Sequence, residues 1–151
     1  MSRALHLMPV IPRFVDDYLS YLLGRASHAV YQEFHTEVKA AGLSSLEWRV
    51  LATLANGHRY TIGDLARDVL AKQPTLTKLI QRMKQNGWVK SGADQADARR
   101  TLVYETAKGR AVVLRLIRAA KAHEKQVLAG FNAQEVETLK KILTALITHA
   151  P

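Results

Sequence analysis

The sequence predicts a mostly α-helical fold interrupted by one small β-hairpin, and three observations carry that prediction. Apolar residues recur at helical spacing along most of the 151 residues. Ser, Thr or Asn followed three residues later by Glu or Asp marks several helix starts, because the first side chain accepts from an unpaired backbone N–H and the second reaches back. Only Trp88–Ser91 and Thr101–Glu105 are short β-prone runs, joined by a loop rich in Gly, Asp and Arg. The predicted order is α-α-α-α-β-β-α-α. Within it, residues 61–109 read as a short capped helix, a connection, a second basic helix, a glycine stop and a hairpin. That is a helix-turn-helix followed by a wing, an arrangement that places its second helix in the major groove of DNA.

Taken in order, Pro9 and Pro12 give the N-terminal stretch the look of an extended arm. Asp16 or Asp17 is expected to start a long helix reaching about Ala41, with Leu19, Leu22, Leu23, Ala26, Val30, Phe34 and Val38 on one side and Gly42 as its stop. Ser44-Ser45-Leu46-Glu47 is a capping box that opens a second helix, with Trp48, Leu51, Ala52 and Leu54 inward. Thr61-Ile62-Gly63-Asp64 opens a short helix from Ile62 to Val69. Pro74 fits the first turn of the next helix, where its missing N–H has no intrahelical partner to lose. From Pro74 to Gln85, Leu76, Leu79, Ile80 and Met83 face inward, Thr75, Thr77, Lys78, Gln81, Arg82 and Lys84 face outward, and Gly87 ends the run. After the hairpin, Thr106 starts a helix to about Ala129, with Val112, Val113, Leu116, Ile117 and Ala120 as core candidates. Asn132-Ala133-Gln134-Glu135 starts a last helix bearing Val136, Leu139, Leu143, Leu146 and Ile147.

Charge is distributed to match. The chain carries a net charge of +9, and the stretch from Arg59 to Lys125, with 15 basic and 6 acidic residues, holds the whole excess. A phosphate-binding surface needs such a concentration, since neutralising phosphates releases condensed counterions. The chain has no cysteine, which excludes disulfides, thiolate zinc sites and thiol redox switches. No apolar run approaches the roughly 20 residues of a membrane span. The N-terminal stretch lacks a compact apolar run with a cleavage site, so no signal peptide is expected and the cytoplasm is the expected location. The six histidines suggest no metal centre: His28, Gln32 and His35 share a helix face, but no third ligand stands at suitable spacing. No nucleophile motif frames a Ser and a His, so no catalysis and no cofactor are expected.

The element order and its motifs resemble the multiple-antibiotic-resistance regulator (MarR) family of winged-helix transcription factors, over about residues 17–148. The carrying residues are Glu47-Trp48-Arg49-Val50-Leu51, Thr61-Ile62-Gly63-Asp64-Leu65-Ala66 and Leu76-Thr77-Lys78-Leu79-Ile80-Gln81-Arg82-Met83. Asp97-Ala98-Arg99 in the wing, Leu102-Val103-Tyr104-Glu105-Thr106 and Gly109 complete the set. The chain departs from the family's habit at Lys72-Gln73-Pro74, where a serine often caps the recognition helix. In this form it looks like a branch whose members often control aromatic-compound catabolism. The resemblance implies a homodimer with dimerisation helices at 1–42 and 110–151 flanking a DNA-binding domain at 43–109. The stripes at Leu114–Ile117 and Val136–Ile147 fit that role, or equally a bundle within one chain.

The expected DNA-contacting residues are Lys72, Gln73, Pro74, Thr75, Thr77, Lys78, Arg82, Lys84, Arg99 and Arg100. Gln73, Thr75, Thr77 and Lys78 occupy the first turns of the recognition helix, where base edges are read: Gln suits adenine, Lys suits guanine and Thr can touch a thymine methyl. Arg82 and Lys84 lie further along and suit phosphates. Arg99 is expected to enter a minor groove, whose negative potential deepens where it narrows, with Asp97 pairing to it and fixing its direction. Arg100 is expected to contact phosphate. The resemblance also implies a crevice for an effector, for which Tyr21, Arg25, His28 and Arg49 are candidates; an aromatic carboxylate would suit such a wall of cations and rings. For each arginine the alternative is a structural ion pair. The reading is therefore a dimeric regulator, a repressor of a pseudo-palindromic operator released by a small aromatic acid. Its rivals are a regulator answering another signal and a winged-helix protein-interaction subunit.

Overall fold

A computed structural model describes residues 11–149, so Pro9 and the first part of the expected arm lie outside the described residues. The chain divides into two compact units, one to Glu33 and one from Phe34 onward.

In the first unit a 3-10 turn, Phe14–Asp16, precedes the long helix α1 (Leu19–Ala40). The expected start at Asp16 or Asp17 falls short of the helix because Asp16 is engaged elsewhere: Arg13 donates to its carboxylate at 2.6 Å, three residues back. Leu19, Tyr21, Leu22, Leu23 and Val30 of α1 are exposed.

The second unit holds the core. Phe34 and Val38, from the last turns of α1, are buried in it. Gly42 ends that helix with φ +79°, a left-handed conformation that suits glycine. Helix α2 (Ser45–Leu54) begins with the predicted box: the Glu47 N–H donates to the Ser44 hydroxyl and the Ser44 N–H donates to the Glu47 carboxylate at 2.8 Å. Its inward face is Val50, Leu51 and Leu54, with Trp48 half-buried against Phe34. Thr61 caps α3 (Ile62–Asp68). Helix α4 (Gln73–Gln85) buries Leu76, Leu79, Ile80 and Met83, as its spacing predicts. Between α3 and α4 the chain turns through Leu70, which is fully outside the core yet left-handed at φ 57°.

Strands β1 (Val89–Ala93) and β2 (Thr101–Glu105) pair antiparallel, with Val89 opposite Glu105 and Ala93 opposite Thr101. β1 starts one residue later than expected and runs on through Gly92 and Ala93. Tyr60 adds a third, single-residue rung: it donates to and accepts from Val103 at 3.1 and 2.7 Å. The wing is therefore anchored from before α3 as well as from after α4.

Helix α5 (Ala107–Val127) is capped by Thr106 and buries Gly109, Val113 and Leu116. Gly109 is needed for contact rather than conformation, because a Cβ there would lie 2.1 Å from the Trp88 carbonyl oxygen. Helix α6 (Ala133–His149) opens on the predicted reciprocal Asn132–Glu135 box. It buries no residue, and Leu139, Ile142, Leu146 and Ile147 are exposed.

Candidate nucleic-acid interface

Helix α4 presents its polar face outward because its apolar face is spent on the core. Lys72, Gln73, Pro74, Thr75, Thr77, Lys78, Arg82 and Lys84 are all exposed. α4 also differs from α2, α3, α5 and α6 at its start. In those four a backbone N–H of the first turn donates to a capping side-chain oxygen, whereas Lys72 offers none to α4. The first turn of α4 carries no acid, so its orphan N–H groups remain open to an anion. Pro74, Thr75, Lys78 and Arg82 line a shallow groove with Ser44 and Leu46, about 480 Å³ in volume. The Thr77 hydroxyl donates back to the Gln73 carbonyl at 2.9 Å, which leaves its methyl and a lone pair for an outside contact.

Two of the expected phosphate contacts are also structural. Arg82 reaches Glu47 at 3.3 Å. Glu47 is buried, so this arginine ties the recognition helix to the N-terminus of α2 while more than half of its side chain stays exposed. Arg100 lies between two acids, 3.8 Å from Asp64 on α3 and 3.7 Å from Asp94 in the wing loop. It braces the wing against the helix-turn-helix. The Asp64 carboxyl is held below the ordinary carboxylate range, first by the Thr61 hydroxyl, then by Arg67 and Arg100. Lys72, Lys78, Lys84 and Arg99, by contrast, have no acidic partner among the described residues.

The expected Asp97–Arg99 ion pair is corrected. Asp97 does fix Arg99, but at the backbone: its carboxylate accepts the Arg99 N–H at 3.0 Å. Three further bonds shape the loop. The Arg100 N–H donates to the Asp97 carbonyl at 2.9 Å, the Asp94 N–H to the Arg100 carbonyl at 2.9 Å, and the Ala96 N–H to the Asp94 carboxylate at 2.9 Å. A carboxylate two residues back in an Asx turn is well placed for an N–H and poorly placed for a long guanidinium, which is thus left free at the tip.

Sequence reasoning missed the outer sheet face. Arg59 stacks on the Tyr104 ring at 4.3 Å and Lys90 stands 5.4 Å from the same ring. The period-two alternation of Lys90 and Gly92 opposite Tyr104 and Leu102 was the available signal.

In the first unit, Tyr21, Arg25 and His28 line a cavity of about 690 Å³ along one side of α1, with Phe14, Val15 and Tyr18. The Arg25 guanidinium carbon lies 5.9 Å from the Tyr21 ring centre. Arg49, the fourth candidate, is exposed on α2 in the second unit. Of the histidines, His35 sits 3.5 Å from the Ser45 hydroxyl. No three His, Asp or Glu side chains among the described residues are grouped as a metal site would require. No helix among them is long and apolar enough to cross a membrane.

A basic recognition helix with an open N-terminus, beside a braced wing with a free arginine at its tip, defines a winged-helix module of the DNA-binding regulator class. Residues 41–100 match the model of the MarR family. A curated relative, the transcriptional activatory protein BadR of Rhodopseudomonas palustris, is 33% identical over 135 residues, covering 85% of this chain and 76% of BadR. The homoprotocatechuate degradative operon repressor of Escherichia coli is 28% identical, covering 88% of this chain and 90% of its own. The crystal structure of the MarR family transcriptional regulator SPO1453 from Silicibacter pomeroyi superposes with a TM-score of 0.79 at 32% identity, over 90% of this chain and 99% of that one. The chain belongs to the MarR family of transcriptional regulators.

Proposed function

We propose that the chain is a homodimeric repressor that binds a pseudo-palindromic operator and is released by a small aromatic acid. The observation that carries the DNA reading is the alignment of free cations with an uncapped helix start. Lys72, Lys78, Lys84 and Arg99 have no acidic partner among the described residues, so duplex phosphates and base edges are their natural complement. Gln73, Pro74, Thr75 and Thr77 form the base-reading turn, with Arg82 and Arg100 sharing phosphate contact with their bracing roles. In this reading residues 43–109 bind DNA, and residues 1–42 and 110–151 make the dimer, which works in the cytoplasm. Dimerisation is supported by α6, whose Leu139, Ile142, Leu146 and Ile147 are all exposed.

The effector reading is supported by the cavity beside α1. Its rings, Phe14, Tyr18 and Tyr21, suit an aromatic body, and Arg25 and His28 suit a carboxylate. Arg49, on α2 in the second unit, is proposed as an effector-binding candidate in its own right. A relative named for repressing a homoprotocatechuate degradative operon points to the same ligand class. The effector acts only by binding the DNA-incompetent arrangement of the two winged modules more tightly than the competent one. The acids of the cavity reading are tested in a gel-shift assay on a duplex selected from a random pool by the protein itself. Release by phenylacetates or benzoates, abolished by Arg25→Ala, is the expected result. Retention of DNA in the presence of every such acid would overturn the effector reading. A flat response of DNA affinity to salt would overturn the regulator reading itself, since about 6 to 10 phosphate contacts should lose roughly 10³- to 10⁵-fold between about 50 and 200 mM.

A further inference from the structure

The outer face of the wing sheet carries a cluster that neither the core nor the braces of the wing use. Register places Lys90 directly opposite Tyr104 and Gly92 opposite Leu102. Arg59 precedes the Tyr60 rung, and so arrives on the same face as Tyr104 from the other side of β2. The result is a row across three strands: Arg59, the Tyr104 ring, Lys90. The guanidinium lies 4.3 Å and the ammonium 5.4 Å from the ring centre.

Two cations drawn to one ring repel each other, and no acid among the described residues stands with either of them. The ring's negative face lowers the cost of holding them side by side, and a neighbouring anion would lower it further. Arg67, Arg82, Arg100 and Arg110, by comparison, each have an acid within reach. The pair is therefore held ready, set across strands that run directly into the loop bearing Arg99. A strand rises about 3.3 Å per residue, so Lys90 lies roughly 10 Å from the end of β1, a few residues short of the wing tip. A tip inserted in a minor groove about 6 Å wide has a phosphate strand on either flank, and the sheet behind the tip meets one of them.

We propose that Arg59 and Lys90, positioned by Tyr104, form a second phosphate-binding strip for the same duplex, clamping the backbone that borders the groove entered by Arg99. The proposal rests on the DNA-binding reading above and adds a surface that neither α4 nor the wing tip supplies.

The test is a salt titration of binding to a duplex selected from a random pool by the wild-type protein, comparing it with the double variant Arg59→Gln, Lys90→Gln. Each lost phosphate contact lowers the slope of log affinity against log salt by about 0.9. A dimer losing four contacts should show a slope smaller by about 3 to 4, with affinity at least about tenfold weaker near 0.15 M salt. The charge-preserving variant Arg59→Lys, Lys90→Arg should restore the slope, which separates lost charge from lost folding. Tyr104→Phe should bind as the wild type, and Tyr104→Leu should weaken binding by releasing the two cations. A double Gln variant that keeps the wild-type slope overturns the strip while leaving the regulator reading intact. A wild-type protein that selects no duplex overturns both.

Discussion

Removing the Asp97 side chain should weaken DNA binding even though it removes negative charge from a surface that meets a polyanion. Asp97→Ala deletes one of the four hydrogen bonds that shape the loop from Asp94 to Arg100, the one that fixes the Arg99 backbone at 3.0 Å. A net hydrogen bond contributes about 0.5 to 1.5 kcal/mol, and its loss here falls on the ordering of the wing tip. With two wings in the proposed dimer the cost is about 1 to 3 kcal/mol. The opposing gain is smaller: a carboxylate roughly 10 Å from a phosphate in water repels it by about 0.4 kcal/mol, or about 0.8 kcal/mol over two wings, before screening by salt reduces it further. Loss therefore wins, and Asp97→Ala should bind about 5- to 100-fold more weakly, at about 1.4 kcal/mol per tenfold. Asp97→Asn separates the two effects. Its side-chain oxygen still accepts the Arg99 N–H, and its charge is gone, so it should bind as tightly as the wild type or slightly more tightly. Fluorescence anisotropy on a labelled duplex at fixed salt reads both. Tighter binding by Asp97→Ala would show that the turn bond has no bearing on DNA. Asn and Ala variants weakened alike would show that the charge itself positions Arg99, restoring the side-chain ion pair that the geometry argues against.

Other perturbations follow from the same contacts. Arg99→Ala should weaken operator binding by about 1 to 3 kcal/mol and shift the melting temperature little, because an exposed turn residue changes stability by about 0.5 kcal/mol or less; a large drop in melting temperature would mean that Arg99 holds the fold. Gly109→Ala would drive a Cβ to 2.1 Å from the Trp88 carbonyl oxygen, so α5 and the start of β1 must separate; thermal melting should report a loss of about 1 to 3 kcal/mol or more, and an unchanged melt would refute the close approach. Leu70→Gly should stabilise the turn between α3 and α4, since a left-handed non-glycine residue costs about 1 to 2 kcal/mol and this side chain is 81% exposed; a lower melting temperature would show that Leu70 is covered in the assembled protein. Leu139→Lys with Ile142→Lys should convert the proposed dimer to monomer in sedimentation, and a dimer that survives would move the interface off α6.

What could be read from the sequence is what the chain encodes locally. The Ser44–Glu47, Thr61–Asp64 and Asn132–Glu135 starts each join residues three apart, and each appears in the structure as read. The inward face of α4 follows from spacing alone for the same reason. Contacts between distant residues left no such trace. Arg82 and Glu47 are 35 positions apart, and Arg100 reaches Asp64 from another element altogether. Helix-face reasoning placed Arg82 outward and turn composition placed Arg100 in the wing loop, and neither could say that each arginine also had an acid waiting. The Asp97 error was of another kind: opposite charges two residues apart suggested a side-chain pair, whereas the short carboxylate closes more readily on the nearer N–H.

These long-range pairs alter how the cations of the interface should be counted. Arg82 and Arg100 spend part of their charge on Glu47 and on Asp64 with Asp94, so their removal would disturb the placement of α4 and of the wing as well as contact with phosphate. Lys72, Lys78, Lys84 and Arg99 have no such second duty, and substitutions there should change the salt slope with little effect on melting. The two groups thus separate experimentally. Equal loss of affinity in an Arg82 and a Lys78 variant would conceal different causes, and the melting curve beside the salt titration distinguishes them. An Arg82→Ala protein that melts as the wild type would show that the Glu47 carboxylate is satisfied by the Ser44 N–H alone, and that the tie between α4 and α2 comes from packing around Leu79 rather than from charge.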